Sequence, residues 1–478
     1  MSDYRVQLRE HQLEAVRRAA GRDYYGLFMG MGSGKTLTAY AILRQERCKR
    51  VLVVCKPRTI EVDNVWIKAL DQLNFKVDLR VVHGINGKQK IVKLKQITSE
   101  PISDDIQIVQ MSHNSIWRDG VDNMVMSIKW DAIVIDEAHA IKAAGSEVSK
   151  FFATFARRQP KAKRYALTGS PMHNSPLDVY GLYRFLDPSI FGTNFNRFRD
   201  KYAYTYKNQM GITLVSSYKE NVHEIEDELA RTGYLVRSRD VLDLPTEHHV
   251  YRYCKLLPQP RKVYDNIKKE LIHLFDDGSA ATTHNILTKA TMLQQIANGH
   301  VRDDQNRLLE LECSKMSLLQ DILEDLPTYS DSEGKVRNPP VVIFYRFIHD
   351  LHNIDIACGK VGYTHCTLDQ LQSWKAGKFD VVCVQEEAGA EAIEMTRAAY
   401  VIYWSKVFSL GSYEQSLARV ARPDEKDAHL HRAEKTRSVI TFVHLVTEDT
   451  IEETIETSLA KKEDLIHTLY RAIKEKQK

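Results

Sequence analysis

Continuous apolar runs alternate with amphipathic segments along the first part of the chain. The runs cover residues 24–29, 51–55, 81–83, 106–110 and 131–135. Runs of this length are typical of strands that are buried on both faces of a parallel sheet. The intervening segments, such as 36–44, have the apolar spacing of helices. The alternation of strand and helix predicts a doubly wound α/β sheet, which binds ligands at the carboxyl ends of its strands.

The second half of the chain repeats the strand pattern after a helical stretch. Apolar residues have helical spacing between about residues 260 and 300, and strand-like runs follow at 341–345, 379–384 and 400–404. A polar segment that contains Gly and Pro, 328–340, lies directly before these runs and is the best candidate for a linker. A second sheet is therefore expected beyond residue 340.

A glycine-rich turn joins the first predicted strand to the helix after it. It reads Gly30-Met31-Gly32-Ser33-Gly34-Lys35-Thr36. Backbone N–H groups converge at the start of such a helix, where a phosphate group is favoured. Lys35 supplies a positive charge for the β- and γ-phosphates, and the Thr36 hydroxyl is placed to ligate Mg²⁺. The strict pattern has glycine where this chain has Met29, so an ordinary Gly-rich turn is the alternative.

A strand that ends in two carboxylates follows about a hundred residues later. Asp136 and Glu137 come directly after the apolar run 131–135. An ATPase needs one carboxylate to hold the metal and another to orient and deprotonate the attacking water. Asp136 is therefore assigned to Mg²⁺ and Glu137 to water, with ATP and Mg²⁺ as cofactors. His139 has two interpretations, a structural hydrogen bond or a role in coupling.

Two residues of an amphipathic helix before the glycine-rich turn are candidate nucleotide contacts. They are Arg9 and Gln12. A side-chain amide can both donate to and accept from the edge of an adenine, which suits Gln12. A solvated helix face is the alternative for the same residue.

Composition narrows the class of protein. At 478 residues the chain is long enough for two or three domains. Its apolar runs do not approach the roughly 20 residues of a membrane span, and its start lacks a signal-peptide core. The seven cysteines form no CxxC pair, so reduced thiols without a metal site are expected. These features predict an intracellular protein of the cytoplasm, the nucleoid or a host cell, without membrane contact.

Charge is nearly balanced, so a polyanion must be met by local patches. The net charge is +4, from 67 basic and 63 acidic residues. Basic and aromatic side chains are interleaved in the segment 194–220, which includes Arg197, Arg199 and Lys201. This pattern suits phosphate contact combined with base stacking. The alternative is an insertion whose aromatic residues form a small core of their own.

A helix predicted near residue 412 carries two arginines. Ser412 and Gln415 have the spacing of a capping box. Gln415, Arg419 and Arg422 then fall on one face of the helix. Pro423 ends the helix, because the residue before a proline avoids helical geometry.

Seven motifs follow one another in a recognisable order along most of the chain. They are Asp136-Glu137-Ala138-His139-Ala140-Ile141-Lys142, Leu167-Thr168-Gly169-Ser170-Pro171-Met172-His173-Asn174-Ser175, Leu177-Asp178-Val179-Tyr180-Gly181-Leu182, Phe185-Leu186-Asp187-Pro188, Val341-Val342-Ile343-Phe344-Tyr345-Arg346-Phe347, the stretch 415–422, and His444-Leu445-Val446-Thr447-Glu448-Asp449-Thr450-Ile451-Glu452-Glu453. In order, type and spacing they resemble the superfamily 2 helicases, in particular the Swi/Snf-related translocases of double-stranded DNA. The short second sheet region resembles compact, viral or phage-like forms.

The resemblance implies a motor of two RecA-like domains that bind ATP between them while nucleic acid crosses both. It assigns catalysis to Lys35, Asp136, Glu137, Arg419 and Arg422, with Arg422 favoured as the arginine finger. The implied nucleotide contacts are Arg9, Gln12, Gly30, Gly32, Ser33, Gly34, Lys35, Thr36 and Gln415. The implied coupling residues are His139, Thr168, Ser170 and Gly389. The candidate nucleic-acid contacts are Lys56, Arg58, Thr59, His83, Ser112, His113, Arg197, Arg199 and Lys201.

Four segments are expected along the chain. They are a first RecA-like domain at 1–192, helical protrusions and a linker at 193–330, a second RecA-like domain at 331–450, and a C-terminal helix at 451–478. The C-terminal helix braces one domain against the other or, as the alternative, binds a partner protein. The chain is expected to be a monomer.

The expected function is a DNA-stimulated ATPase that moves on or remodels duplex, forked or branched DNA. An RNA-acting helicase of the same superfamily is one alternative. A DNA-binding or recruiting factor with a degenerate motor is another. It is motivated by Glu386 and Glu387, whose carboxylates would repel a phosphate backbone, and by Pro423-Asp424-Glu425, where related motors have a different sequence.

Overall fold

The computed structural model of the chain divides into two compact units. It describes residues 4–102, 105–172, 175–207, 213–277, 283–302, 305, 307–330, 334–386, 394–422 and 439–461. Unit 1 comprises Met1–Tyr206 and Leu214–Leu242, and unit 2 comprises Lys207–Thr213 and Asp243–Lys478. The predicted coupling residue Gly389 and the motif residues His173 and Asn174 lie outside the described residues.

Unit 1 is built on a seven-stranded parallel sheet. The strands of the first half of the chain are β1 (Tyr24–Met29), β2 (Arg50–Cys55), β3 (Val77–Val81), β4 (Ile106–Ser112), β5 (Ala132–Asp136), β6 (Lys163–Leu167), β7 (Ala203–Lys207), β8 (Thr213–Tyr218) and β9 (Gly233–Val236). The order across the sheet is β3-β4-β2-β5-β6-β1-β9, and β7 pairs with β8 separately. All six neighbouring pairs of the sheet are parallel.

Helices cover both faces of this sheet. They are α1 (Glu10–Ala19), α2 (Lys35–Gln45), α3 (Val65–Lys68), α4 (Gly87–Ser99), α5 (Val121–Ser127), α6 (Glu147–Arg158), α7 (Val179–Leu186), α8 (Pro188–Phe191), α9 (Phe195–Tyr202), α10 (His223–Thr232) and α11 (Ser238–Val241). Val51 and Val53 of β2 pack in one core layer, whereas Leu52 and Val54 pack in the other. Burial on both faces explains why the strand sequences are continuously apolar.

Unit 2 is built on a six-stranded parallel sheet. The described strands of the second half of the chain are β10 (Thr246–Cys254), β11 (His300–Arg302), β12 (Leu308–Glu310), β13 (Tyr329–Ser330), β14 (Val336–Arg337), β15 (Val341–Tyr345), β16 (His365–Thr367), β17 (Val381–Gln385), β18 (Tyr400–Tyr403) and β19 (Val439–Thr447), of which six form the sheet. The order is β10-β19-β18-β15-β17-β16. β11 with β12 and β13 with β14 form small antiparallel pairs. Val342 and Ile343 again face opposite core layers.

Seven α-helices lie in the described residues of unit 2. They are α12 (Pro258–Asp277), α13 (Thr283–Ala297), α14 (Ser314–Asp325), α15 (Asp350–Lys360), α16 (Leu371–Lys375), α17 (Leu410–Val420) and α18 (Ile451–Lys461). Ile451, Ile455 and Leu459 of α18 pack in one cluster with Tyr264 of α12 and Leu293 of α13. The described part of the C-terminal helix is therefore bound to unit 2 through its apolar face.

The prediction of two α/β regions with parallel sheets and helical segments between them is confirmed. The segment 193–330, expected to be helical, also contributes strands, because β9 joins the first sheet and β10 the second. The linker candidate 328–340 contains the short pair β13–β14. Within the described part of the chain, helices lack the combined length and apolarity that crossing a membrane requires.

Candidate active site

The glycine-rich turn, called the phosphate loop below, lies between β1 and α2 at the carboxyl edge of the first sheet. Gly32 and Gly34 have positive φ angles of 74° and 84°. A Cβ atom on Gly34 would lie 2.3 Å from Nε2 of Gln12. Glycine is therefore required at residue 34 for both its backbone conformation and its close approach to α1.

The side chains of the phosphate loop close the loop on itself. Nζ of Lys35 donates to the carbonyl oxygens of Met29 at 3.0 Å and Gly30 at 3.3 Å. Oγ of Ser33 donates to the Gly30 carbonyl at 2.6 Å. The ammonium group thus lies against the carbonyl oxygens at the start of the loop. Helix α2 begins at Lys35, so the backbone N–H groups of its first turn lie at the end of the same loop.

Helix α1 supports the loop from the other side. Nε2 of Gln12 donates to the Gly34 carbonyl at 3.3 Å, while its Oε1 accepts from the backbone N–H of Arg9 at 2.8 Å. Nε2 of His11 is hydrogen-bonded to the Ser33 carbonyl at 2.9 Å. Gln12 is buried and Arg9 is exposed. Both the Nε2 and the Oε1 atoms of Gln12 therefore bond to backbone groups, and the contact of Gln12 with adenine stays a prediction.

A segment about 200 residues further along the chain also holds the phosphate loop. The N–H of Gly30 donates to the Val236 carbonyl at 2.9 Å, and Oγ of Ser238 donates to the Met31 carbonyl at 2.7 Å. A Cβ atom on Gly30 would lie 2.3 Å from Oγ of Ser238. Sequence reasoning missed Ser238, because β9 was not recognised as a strand of this sheet.

Asp136 is buried at the end of β5, at the same edge of the sheet. Its Oδ2 accepts from the indole N–H of Trp66 at 3.0 Å, and its Oδ1 accepts from the backbone N–H of Glu137 at 3.0 Å. Burial, and after it the charge of Glu137, raises the pKa of Asp136. The charge of Lys35 acts in the opposite direction. Trp66 is a second site residue that sequence reasoning did not identify.

Glu137 follows in a left-handed backbone conformation, with φ of 51°. Its Oε2 lies 3.1 Å from Nδ1 of His139. Burial acts to raise the pKa of Glu137, but the hydrogen bond from His139 and the charges of His139, Lys35 and Lys56 lower it overall. Glu137 is therefore held as a carboxylate, and the structural hydrogen bond foreseen for His139 is present.

The motif residues Thr168, Gly169 and Ser170, which follow β6, lie beside the start of the phosphate loop. The N–H of Thr168 donates to the Leu27 carbonyl at 3.2 Å, and Oγ1 of Thr168 accepts from the N–H of Ser170 at 3.2 Å. A Cβ atom on Gly169 would lie 3.6 Å from the Met29 carbonyl oxygen. Thr168 and Gly169 thus lie against the end of β1, where the phosphate loop begins, and the coupling role of Thr168 and Ser170 stays a prediction.

The candidate nucleic-acid contacts after β2, β3 and β4 differ in accessibility. Thr59, Ser112 and His113 are buried, with exposed fractions of 7%, 1% and 4%. Lys56, Arg58 and His83 are half-buried. Burial, followed by the charges of His139 and Lys56, lowers the pKa of His113 to about 3. His113 therefore lies neutral inside unit 1, near enough to Glu137 and His139 for their charges to act on it.

The basic and aromatic segment after residue 194 combines both interpretations given above. Phe198 and Tyr202 of α9 are buried in the core of unit 1, which fits a packed insertion. Tyr204, Tyr206 and Tyr218 are exposed, which fits a binding surface. Among the candidate contacts, Arg199 pairs with Asp200 at 2.8 Å and Lys201 with Glu224 at 2.7 Å, whereas Arg197 is exposed.

Helix α17 of unit 2 carries the predicted arginines but differs from the expected helix. Its N-cap is Ser409, whose Oγ accepts from the N–H of Ser412, so Ser412 lies inside the helix. The helix ends at Val420, two residues before Arg422. The expectation that Arg422 shares a helix face with Arg419 and Gln415 is therefore wrong.

The two arginines lie in different surroundings. Arg419 has an exposed fraction of 0% and its charge acts on the buried carboxyl of Glu386. The side chain of Arg422 is 15% exposed, and its Nη1 lies 2.8 Å from Oε1 of Glu394. Its Nε donates to the Ala418 carbonyl at 2.9 Å. Gln415 is half-buried on α17.

Glu386 points into the interior of unit 2, which corrects the concern that it repels a nucleic-acid backbone. It is fully buried, and its Oε2 accepts from the N–H of Val407 at 2.7 Å. Burial raises the pKa of Glu386 to about 7. Glu387 and the residues of 423–438 lie outside the described part of the chain.

Comparison with known proteins gives a consistent match. The family profile described as the SNF2-related domain matches residues 11–301. The chromatin-remodeling ATPase INO80 of Arabidopsis thaliana is 25% identical over 353 residues, which cover 70% of this chain and 22% of that protein. An uncharacterized ATP-dependent helicase of Mycoplasma pneumoniae is 22% identical over 479 residues, which cover 96% and 42%. This chain thus spans less than half the length of these two relatives.

A solved structure is also similar. It is the Sulfolobus solfataricus SWI2/SNF2 ATPase core in complex with dsDNA, with 21% identity and a TM-score of 0.42 over 96% of this chain and 92% of that one.

Proposed function

Because the chain belongs to the SNF2-related family, we propose that it hydrolyses ATP and couples hydrolysis to movement on DNA. One observation carries the proposal. The phosphate loop, the Asp136–Glu137 pair and the Thr168–Ser170 motif converge at the carboxyl edge of one parallel sheet. Ligands bind at this edge in α/β sheets, and these three parts are the ones that phosphoryl transfer uses.

The residues of unit 1 fit ATP and Mg²⁺. Gly34 has no room for a side chain beside Gln12 of α1, Gly32 has a positive φ that favours glycine, and Lys35 already places its ammonium group against the carbonyl oxygens of Met29 and Gly30. Thr36 at the start of α2 and Asp136 would hold Mg²⁺, directly or through water. When bound, the ion neutralises charge on the β- and γ-phosphates.

Glu137 would act on the attacking water. Its carboxylate stays ionised because His139 and two lysines lower its pKa. An ionised carboxylate accepts a hydrogen bond from water and so orients it for attack. Its left-handed backbone turns it away from the line of β5, while Asp136 stays in the core.

The second unit would supply positive charge to the transferring phosphoryl group. We assign this role to Arg422 ahead of Arg419. A guanidinium that neutralises charge at this group acts as an arginine finger. The Arg422 side chain is partly exposed and is held by Glu394 near its surface, whereas Arg419 is enclosed in the core of unit 2.

DNA contact would use the basic residues that remain accessible in unit 1. Lys56 and Arg58 follow β2, His83 follows β3, which is separated from β2 by β4, and Arg197 is exposed on α9. Basic side chains neutralise phosphates in a sequence-independent way, so binding should weaken steeply with salt. Buried Thr59, Ser112 and His113 would act by holding these strand ends, with His113 near Glu137.

The test is the ATPase rate of the purified chain with different nucleic acids. We expect strong stimulation by duplex DNA and weak stimulation by RNA, and a comparison of duplex, forked and four-way DNA defines the preferred form. A displaced-strand assay separates strand separation from movement along a duplex. Stimulation by RNA alone would favour the RNA helicase alternative. Binding of DNA without turnover on any nucleic acid would mean a binding factor with a degenerate motor.

A further inference from the structure

A buried tryptophan holds the carboxylate that we assign to Mg²⁺. Trp66 of α3 has an exposed fraction of 0%, and its Nε1 donates to Oδ2 of Asp136 at 3.0 Å. The backbone N–H of Glu137 occupies Oδ1 at the same distance. With one donor on each oxygen, the plane of the carboxylate is fixed, and each oxygen keeps a further acceptor direction.

The same tryptophan is attached to the helix that follows the phosphate loop. Oη of Tyr40 on α2 donates to the Trp66 carbonyl at 2.9 Å, and the two rings are 5.1 Å apart between centroids. Tyr40 is fully buried and lies one helical turn after Thr36. Tyr40 and Trp66 therefore join the elements that carry Thr36 and Asp136 into one buried set of contacts.

Core packing alone does not account for this arrangement. A buried indole N–H needs an acceptor, and a backbone carbonyl is sufficient. Trp130 in the same unit shows this, because its buried Nε1 donates to the Val125 carbonyl at 2.9 Å. The Trp66 indole instead donates to a buried side-chain carboxylate at the candidate active site.

We infer that Trp66 is a positioning residue for Mg²⁺ binding, which fixes the Asp136 carboxylate relative to α2 and the phosphate loop. This inference rests on the proposed function. Hydrogen-bond partners of metal ligands orient the ligand, and their loss typically lowers metal affinity about 10- to 100-fold. The loss of the Trp66 donor should therefore change Mg²⁺ dependence more than nucleotide binding itself.

The experiment measures ADP affinity by calorimetry at a series of Mg²⁺ concentrations. ADP is used because the chain would not hydrolyse it during the measurement. Trp66→Phe keeps an aromatic ring but removes the N–H group. We expect it to raise the Mg²⁺ concentration for half-maximal enhancement of ADP binding about 10- to 100-fold. ADP affinity in EDTA should stay near that of the unaltered chain. Trp66→Phe in an Asp136→Asn background should have no further effect on Mg²⁺ dependence.

Trp130→Phe is the matched control, since it also removes one buried indole from unit 1. It should leave the Mg²⁺ requirement unchanged. An equal Mg²⁺ requirement in both variants would overturn the role of Trp66, and so would an equal loss of ADP binding with and without Mg²⁺. If the unaltered chain shows no Mg²⁺-dependent ADP binding, the proposed function itself fails and the positioning role fails with it.

Discussion

Asp136 and Glu137 are adjacent carboxylates whose pKa values shift in opposite directions. The pKa of Asp136 is raised by burial and by the charge of its neighbour. The pKa of Glu137 is lowered because the hydrogen bond from His139 and nearby positive charges outweigh its burial. The environment thus separates the ionisation of two similar side chains, and a divalent cation at Asp136 would relieve the buried charge there.

Glu137→Gln tests the role of the second carboxylate. The amide keeps the shape of the side chain but cannot accept the proton of an attacking water. We expect kcat for ATP to fall about 10²- to 10⁴-fold while ATP binding is kept. Steady-state ATPase rates and equilibrium ATP binding check this, with Glu147→Gln on the exposed face of α6 as the control. Undiminished turnover would remove Glu137 from its assignment.

Arg422→Ala is a cleaner test of the arginine finger than Arg419→Ala. Arg422 lies beyond the end of α17 and pairs with the exposed Glu394, so its removal should leave unit 2 folded. Arg419 is enclosed, and its loss would disturb the core around Glu386. We expect Arg422→Ala to lower kcat on the order of 10³-fold with little effect on ATP binding. Rapid-quench ATPase measurements check this.

The control for that substitution is Arg252→Ala, which removes an arginine of unit 2 whose side chain is 44% exposed. Its kcat should match that of the unaltered chain. If Arg422→Ala also has a normal kcat, Arg422 is not the finger.

At the residue scale, the sequence predicts a functional residue well when that residue directly follows a recognisable strand. The phosphate loop and the acid pair each follow an apolar run, so their location at strand ends could be predicted. Trp66 and Ser238 could not, because their partners lie 70 and 207 positions away along the chain. Contacts at such separations follow from strand order, which the pattern of one sequence does not contain.

At the scale of elements, the end of β17 shows how a carboxylate becomes part of a core. Glu386 caps the N–H of Val407 between β18 and α17 and is surrounded by Lys406, Arg346, Arg419 and Tyr403. Burial outweighs the three positive charges, so the pKa rises to about 7 from an ordinary value of 4.5.

This pKa predicts a pH dependence of stability. Between about pH 4.5 and pH 7 the folded chain keeps a proton on Glu386 that the unfolded chain releases. The contribution of Glu386 to the free energy of unfolding therefore falls as the pH rises through this window. Glu386→Gln should reduce that fall. The stability of the variant relative to the unaltered chain should therefore be higher at pH 8 than at pH 4.5. Urea unfolding at both pH values checks this.

Glu453→Gln is the control for this series, because Glu453 is exposed in the first turn of α18. It should unfold with the same pH slope as the unaltered chain. A slope that Glu386→Gln leaves unchanged would mean that Glu386 is ionised equally in both states.

Helix α17 shows why element boundaries are harder to predict than elements. Ser409 and Ser412 both fit an N-cap by residue type, and tertiary packing selects the earlier one. The sequence predicts that Pro423 ends the helix, but the helix already ends at Val420, and Pro423 lies outside the described residues. Because the helix ends two residues earlier than predicted, Arg422 lies beyond the helix, where it pairs with Glu394.

At the scale of the whole molecule, each unit has cores of its own, and unit 2 also contains a buried ion pair. Nζ of Lys315 on α14 donates to Oε1 of Glu452 on α18 at 2.5 Å. It also donates to Oδ1 of Asn298 at 2.8 Å and to the Trp404 carbonyl at 2.6 Å. One ammonium group thus ties together helices from the middle and the end of the chain.

Lys315→Met should destabilise unit 2 and leave unit 1 folded. It leaves the buried Glu452 without its cation, and breaking such a pair costs about 3–5 kcal/mol. Denaturant unfolding measures the loss of stability of unit 2. Without denaturant, the variant should bind ADP through unit 1 as the unaltered chain does. Lys150→Met, whose pair with Glu147 is half exposed, should cost no more than about 1 kcal/mol. Equal losses in both variants would contradict the prediction.

The strand β9 and Ser238 bear on how this protein can be divided for study. β9 forms the edge of the first sheet, and Ser238 fills the space beside Gly30. Both lie after the β7–β8 pair in the chain and shortly before residue 243, where the chain continues into unit 2. A shortened chain that stops at residue 192 or 206 would lack them and would leave the Gly30 N–H and the Met31 carbonyl without those partners. Any recombinant fragment meant to bind nucleotide by itself should therefore extend through residue 242.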